Sequence, residues 1–309
     1  MPLVSAVMAA RNAAPWIEQA VSSVINQDMT SWELWVVDDG STDETASIVG
    51  RIASEEQRVN LIRQPAKGVS DARNAALDQL RGRWVTFVDA DDLCDPRLFS
   101  TLVGVSTAAG VEVAVSPVKR FSGVQPRVTR GELPAAEVME SSQIVELALY
   151  QRNGIESTLS GTISRSALWS DLRFRSGTRY EDLDIFYRLY LNTQKVAFLQ
   201  YPLYYYRMHG GNFSTNWSAE RTDSIDVTAR IEAYMASHEP ALLSAARDRS
   251  LSAAFNVARA MKAANHNDGA LLERCRRIVA ERRWESVFGT RTRMKNRVGA
   301  LLGNILLPK

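Results

Sequence analysis

Across the first half of this chain, stretches with strand character alternate with stretches of helical spacing, and that alternation limits the fold more than any other feature. "LVSAVMA" reads as a strand, and "APWIEQAVSSVINQ" as a helix with Trp16, Ala20 and Val24 on one face. "ELWVVDD" is a second strand, followed by "STDETASIVGRIASE", a helix whose Ser41 and Glu44 make a capping-box pattern. "VNLIRQ", "RWVTFVDADD" and "VEVAVSP" supply three more strands. Between them lie the helical "SDARNAALDQLRG", stopped by Gly82, and "PRLFSTLVGVSTAAG", opened by Asp95-Pro96. Alternation of this kind predicts an α/β fold: parallel βαβ units in a doubly wound, mostly parallel sheet flanked by helices. Ligands in such sheets sit at the carboxyl ends of the strands.

The pattern weakens over residues 117–180. "AAEVMESSQIVELALY" predicts a helix and "STLSGTISR" an extended segment, before a clear helix at "EDLDIFYRLYLNT" and short strands at "KVAFLQ" and "PLYYYRM". From about residue 220 every signal is helical, which predicts a domain over 1–218 and a helical, basic C-terminal region over 219–309.

Two acidic clusters fall at predicted strand ends. "VVDDGSTD" contains Asp38 and Asp39, where Asp, Gly and Ser would equally suit a plain strand-to-helix turn. A carboxylate fixed there would also accept a hydrogen bond from a nucleobase. "TFVDADDLCDP" crowds Asp89, Asp91 and Asp92 together, and such carboxylates repel unless something positive separates them. A solvated turn and an oxygen-ligated hard cation both satisfy that spacing. A third acidic group, Glu181, Asp182 and Asp184 in "RYEDLDIFYRL", opens a helix, where acids complement the helix dipole or supply a general base. His209 in "YYYRMHGGN" reads as a loop residue beside two glycines, either exposed or near a ligand.

In their order and spacing these segments resemble the family 2 glycosyltransferases of GT-A fold. The likeness runs over roughly residues 3–212 and is carried by "VSAVMAARNAAPWIEQAVSSVINQ", "ELWVVDDGSTDET", "KGVSDARNAALDQLRGRWVTFVDADD" and "YEDLDIFYRL". It implies a nucleotide-diphospho-sugar donor, a divalent metal (Mn2+ or Mg2+), and inverting transfer to a hydroxyl acceptor. On this resemblance Asp39, with Asp38 beside it, matches the acid at the uracil imide, and Arg73 the arginine near the nucleotide. Nucleotide contacts are also implied at Ala9, Arg11, Asp89 and Ala90. Asp89 and Asp91 match the outer residues of the D-x-D motif, so Asp91, Asp89 and His209 match metal contacts, Asp91 the most direct of them, and Asp182 matches the catalytic base. The chain departs from the pattern after its first strand: Ala9-Ala10-Arg11-Asn12 replaces the common P-x-Y-N, so Arg11 stands where an aromatic ring often stacks on the base. A guanidinium plane can stack in its place.

Other function classes fit less well. A nucleotide-sugar-binding protein without catalysis would carry a broken "DAD" or "YED", and both are intact. A metal-dependent nucleotidyltransferase would carry a glycine-rich basic loop after its first strand, and "MAARNAAPW" has no glycine.

Charge is distributed unevenly. The net charge is +2, yet residues 270–309 hold ten Lys or Arg against three acids, a net +7 that leaves about −5 elsewhere. That tail mixes arginines with Trp284, Val287, Phe288 and "ALLGNILL", a combination suited to an anionic membrane surface as well as to a solvated helical face. No nucleic-acid module accompanies the charge, so nucleic acid is not an expected partner. A saccharide or lipid-linked saccharide acceptor is. No run of 18 apolar residues is present, and "MPLVSAVMAARN" lacks a basic leader. Cys94 and Cys275 are distant and lack metal-ligand spacing. Together these features predict a cytoplasmic protein, peripheral at the inner face of the cell membrane if the tail binds lipid.

Overall fold

A computed structural model describes residues 1–124, 126, 131–210, 218–289 and 291–301. The chain divides into two compact units, one of Met1–Ile144 with Glu156–His209 and one of Val145–Ile155 with Gly210–Lys309.

The first unit begins with the predicted alternation: β1 (Val4–Ala10), α1 (Ile17–Ile25), β2 (Trp32–Asp39), α2 (Thr45–Glu55), β3 (Val59–Gln64), α3 (Val69–Leu77) and β4 (Trp84–Phe87). It continues through β5 (Leu93–Cys94), α4 (Leu98–Ala109), β6 (Val113–Val115), β7 (Val118–Phe121) and β8 (Ala136–Glu140); α5 (Ser141–Tyr150) starts in this unit and ends in the second, and β9 (Thr162–Arg165), α6 (Glu181–Leu191), β10 (Lys195–Leu199) and β11 (Tyr204–Arg207) complete the first. The main sheet runs β3-β2-β1-β4-β9-β6-β10-β8. Its first four strands are mutually parallel, as are β6 and β10. The exceptions are β9, antiparallel to both β4 and β6, and β8, antiparallel to β10. The sheet is therefore mostly parallel. β1 is apolar almost throughout because helices cover both faces of a central parallel strand. Trp32, Trp84, Phe99 and Leu102 are among the fully buried side chains of this core. A small second sheet, β5-β11-β7, sits at the strand ends and carries the acidic turn that follows β4.

Three local expectations change. The helix predicted from Ala135 begins only at Ser141. Ala136–Glu140 is instead an edge strand, in register with β10 from Leu199↔Ala136 to Lys195↔Glu140. Ala, Glu and Met favour helix, but the ladder offered by β10 outweighs that weak preference. The Ser41–Glu44 capping box does not form. Ser41 Oγ accepts the Asn12 N–H instead, and Asp43 takes the N–H of Thr45 at the start of α2. Finally, α3 ends at Leu77, before Gly82, which lies so close to Ser5 of β1 that a Cβ would stand 2.6 Å from its backbone nitrogen.

The second unit is helical, with α7 (Asp223–His238), α8 (Leu243–Ala263), α9 (Gly269–Phe288) and α10 (Met294–Leu301). Its core contains Ile225, Leu251, Ala254, Val257, Met261, Cys275 and Val279. Beside that core lies a buried polar cluster. The Arg293 Nε–H donates to Asp248 Oδ2 at 2.6 Å and an Nη1–H to Gln151 Oε1 at 2.6 Å, while Nη2 reaches the Ser252 hydroxyl. Asn296 Nδ2 donates to Asp248 Oδ1 at 2.8 Å, and the Ser252 hydroxyl donates to Asn296 Oδ1 at 3.0 Å. These bonds fix α10 against α8. Cys94 and Cys275 are both buried and free. Among the described residues no helix is long and apolar enough to cross a membrane.

Candidate active site

The site gathers at the carboxyl ends of β1, β2 and β4. The first wall is a pair of stitched loops. Asn12, in the left-handed region at φ 50°, accepts the Thr42 N–H on its side-chain oxygen at 2.8 Å. The Ala13 and Ala14 N–H groups bond Thr45 Oγ1 and Asp43 Oδ2. Gly40 lets the loop after β3 approach instead: its φ is +69°, and a Cβ there would meet the Ala66 nitrogen at 2.7 Å. Ala9 is the penultimate residue of β1, and Arg11 is exposed after the strand with no ion pair among the described residues.

Asp38 and Asp39 are both buried at the end of β2. Asp39 organises the neighbouring loop, with Oδ1 accepting from Gln64 Nε2 (2.7 Å) and the Lys67 N–H (2.8 Å), and Oδ2 from the Gly68 N–H (2.8 Å). Asp38 Oδ1 is buried without a hydrogen-bond partner among the described residues, so among these the pair keeps one acceptor open beside the strand end.

The centre is Arg73 on α3, only 4% exposed. Its Nη2 donates to Asp89 Oδ1 at 2.9 Å, and its Nη1 to Glu181 Oε1 at 3.0 Å and Asp182 Oδ1 at 2.5 Å. The rings of Phe174 and Phe87 lie 5.3 and 5.7 Å from its guanidinium carbon. Burial opposes the Arg73 charge, but Asp182, Glu181 and Asp89 more than offset that, and its ionisation is held well above the usual value. Asn74, next on α3, clamps the Phe174 backbone through both its amide nitrogen and its oxygen, which guides the following chain to the start of α6. Tyr180 then turns left-handed (φ 60°) to deliver Glu181 and Asp182. A non-glycine residue held in that region costs of order 1 kcal/mol or more and is sustained by its surroundings.

The crowded acids after β4 prove to be separated, each with its own partner. Asp89 faces Arg73 and is approached by the Ser160 hydroxyl at 3.4 Å. Asp91 meets His209, Nε2 to Oδ2, at 2.9 Å. Asp92 turns inward and accepts the Arg207 N–H at 2.8 Å. Burial pushes the Asp92 carboxyl up to about 9, with the charges of Asp89 and Asp91 adding to the effect. Burial also raises Asp89 to about 6 and Glu181 to about 7, in each case against the pull of Arg73. Ala90, between the acids, is buried.

His209 is held by more than Asp91. The Trp16 ring stacks on it, centroids 4.8 Å apart, and Arg207 lies 5.1 Å from that Trp ring while its Nε–H donates to the Asp91 carbonyl at 2.8 Å. Asp182 is equally fixed. Its second oxygen accepts from the Thr158 hydroxyl at 2.8 Å and the Leu159 N–H at 3.2 Å.

The predicted site residues thus fall into three groups. Arg73, Asp89 and Asp182 form one connected cluster, Asp91 and His209 a second, and Asp38, Asp39, Ala9 and Arg11 line the loops over the strand ends. Asp89 does not share the Asp91–His209 pair, because Arg73 and Ser160 engage its oxygens. Among the described residues no group of three or more His, Cys, Asp or Glu is arranged to hold a metal by itself. Thr158, Trp16 and Arg207 were not singled out as site residues from sequence and carried no local signal, whereas Glu181 was read with Asp182 in the acidic group that opens α6.

This arrangement is that of a GT-A type transferase fold. The profile of glycosyl transferase family 2 matches residues 5–171, more than half of the chain, and the chain belongs to that family. It is 28% identical over 222 residues to the glycosyltransferase GlyA of Streptococcus pneumoniae, a match covering 70% of this chain but only 32% of GlyA. In fold it is similar to S. aureus TarS 1-349 in complex with UDP-GlcNAc, with a TM-score of 0.69, 20% identity and coverage of 97% and 89% of the two chains. It is also similar to the mannosyltransferase PcManGT of Pyrobaculum calidifontis in complex with GDP-Man and Mn2+, with a TM-score of 0.59, 18% identity and coverage of 98% and 87%.

Proposed function

We propose that this glycosyltransferase moves a sugar from a nucleoside-diphosphate sugar, with UDP as the favoured carrier, to a hydroxyl acceptor with inversion at the anomeric carbon. Donor binding and catalysis are assigned to residues 1–218, and residues 219–309 to a helical, basic C-terminal region. The observation that carries this reading is the convergence of four distant segments. Arg73 of α3, the acids after β4, Asp182 of α6 and His209 after β11 all meet at the strand ends.

In this reading Asp182 is the general base. Its Oδ1 is anchored by Arg73, and its Oδ2 already accepts from an alcohol, the Thr158 hydroxyl, which is the donor type an acceptor sugar presents. Proton removal by a positioned carboxylate raises the rate by about 10²–10⁴-fold. Attack from the side opposite the diphosphate inverts the anomeric carbon without a covalent enzyme intermediate. Asp38, Asp39 and the loop of Ala9 and Arg11 hold the nucleoside. The Asp91 carboxylate and His209 imidazole fit two ligand positions for Mn2+ or Mg2+, and the partial exposure of Asp91 leaves room for phosphate oxygens. When bound, such an ion offsets charge on the departing diphosphate. The proposed acceptor is a saccharide or lipid-linked saccharide of a cell envelope, met from the cytoplasmic side.

The test is a thermal-shift panel of UDP, GDP, CDP and dTDP, each with and without Mn2+. A nucleotide at about a hundred times its Kd stabilises by roughly 2.7 kcal/mol, several degrees in Tm. A Mn2+-dependent shift with one nucleotide, lost in Asp91→Asn, is expected and names the donor class. Indifference to every nucleotide would sink the reading.

A further inference from the structure

Apolar exposure among the described residues is concentrated in one place. Nine of their large hydrophobic side chains are exposed, and five of these, Trp284, Phe288, Met294, Val298 and Leu301, fall within the last turns of α9 and along α10. Met294, Val298 and Leu301 recur at helical spacing, so α10 presents one apolar stripe outward while Asn296, Gly299 and Ala300 face inward. On α9, Trp284 and Phe288 are one turn apart, and their rings stack at 5.9 Å instead of folding into the core. Arg283 joins the two helices, with its guanidinium 5.1 Å from the Trp284 ring and an Nη2–H donating to the Leu301 carbonyl.

The charge around this apolar surface is uncompensated. Each of the three acids in residues 270–301 already has an arginine: Glu273 with Arg276, Glu281 with Arg282 and Glu285 with Arg247. That leaves Arg277, Arg283, Lys295 and Arg297 with no carboxylate at ion-pair distance among the described residues. Burial and then the neighbouring Arg293, Arg249 and Arg259 lower the pKa of Lys295, a sign of crowded positive charge.

We propose that the outer face of α9 and α10 is a docking surface for an anionic lipid bilayer, with Trp284, Phe288 and the α10 stripe entering the interface and the four unpaired cations facing lipid phosphates. Aromatic and aliphatic side chains ringed by unpaired Arg and Lys are the composition that binds such interfaces, each cation near the surface adding about 1 kcal/mol. A second copy of the chain is disfavoured as occupant, because a two-fold contact would oppose like charges across the patch. This surface places the enzyme where a lipid-linked acceptor lies, but its test needs neither donor nor transfer, so failure of one reading leaves the other standing.

The experiment is co-sedimentation of the full chain with phosphatidylcholine vesicles and with vesicles of equal phosphatidylglycerol and phosphatidylcholine, at low and high salt. Wild type is expected to partition onto the anionic vesicles alone and to lose most of that binding at high salt. Trp284→Ser with Phe288→Ser should reduce partitioning about tenfold or more, and Arg277→Glu with Lys295→Glu should do the same. These side chains are exposed, so both variants should keep the wild-type Tm. Equal binding to neutral vesicles, or full binding by either folded variant, would overturn the proposal. So would a dimer in sedimentation equilibrium that the Ser variant dissolves, which would give the face to a second copy.

Discussion

Two arginines in this molecule are buried to nearly the same degree and sit in opposite electrostatic settings. Arg293 in the helical unit faces one carboxylate, Asp248, and the neutral side chains of Gln151 and Ser252. Arg73 in the sheet unit faces three carboxylates, Asp89, Glu181 and Asp182, with Asp91 and Asp92 a few residues further on. The first cluster is balanced as it stands. The second holds more negative charge than one guanidinium can offset, which is why burial and like charge raise Asp89 and Glu181. Balanced burial serves the fold. Surplus charge and perturbed ionisation at a strand-end opening mark a candidate functional site.

Substituting matched carboxylates gives the strongest test of this contrast. Asp182→Asn should lower the transfer rate by about 10²–10⁴-fold and leave Tm within a few degrees, since Arg73 keeps two other carboxylates. Asp248→Asn should do the reverse: it strands Arg293 and costs roughly 3–5 kcal/mol in urea denaturation, while the rate per folded molecule holds. If both variants lost only stability, the surplus-charge cluster would be structural too.

A smaller effect separates the clusters by pH. Glu181 and Asp89 have folded-state pKa values of about 7 and about 6, above their ordinary values of 4.5 and 3.8. The folded state therefore holds protons that the unfolded state has released. Their contribution to stability is fully present below the ordinary values and is lost as pH rises through the raised ones. Urea midpoints should fall between pH 4.5 and 7 on this account, and Glu181→Gln should flatten that limb. An unchanged slope in Glu181→Gln would show that the cluster carries no excess protons.

The sequence made the two halves of this contrast unequally visible. The strands of the parallel half and the helix bearing Asp182 were legible because period-two and helical spacing are local, and so were the acidic strand ends. β8 was read as helix because its Ala, Glu and Met favour helix and only the distant β10 makes it a strand. The Ser41–Glu44 capping pattern failed because the loop at Asn12 claims Ser41, a contact across 29 residues. The acidic crowding in "FVDADD" was visible, but its resolution was not. Arg73, His209 and the Arg207 N–H divide the three acids, and two of those partners lie well over a hundred residues away. The Arg293–Asp248 cluster left no trace in the sequence, since a single Asp on α8 and a single Arg just before α10 have no pattern to read.

The finest test removes one hydroxyl from each cluster. Thr158→Val deletes the donor to Asp182 Oδ2, and Ser252→Ala deletes the hydroxyl between Arg293 and Asn296. Each hydroxyl donates one hydrogen bond and accepts another, Thr158 from the Ser160 N–H and Ser252 from Arg293, each bond worth about 0.5–1.5 kcal/mol, so the sites differ mainly in where the loss is felt. In the balanced cluster it should appear wholly as a lower urea midpoint with unchanged kinetics. In the surplus cluster Asp182 keeps its bonds to Arg73 and the Leu159 N–H, so the fold should hold and the rate should drop by up to about tenfold as the base loses its orientation. Thr158→Ser, which restores the donor, should recover that rate. A Thr158→Val enzyme with wild-type kinetics and lowered stability would place Thr158 with the structural cluster and weaken the assignment of Asp182 as the base.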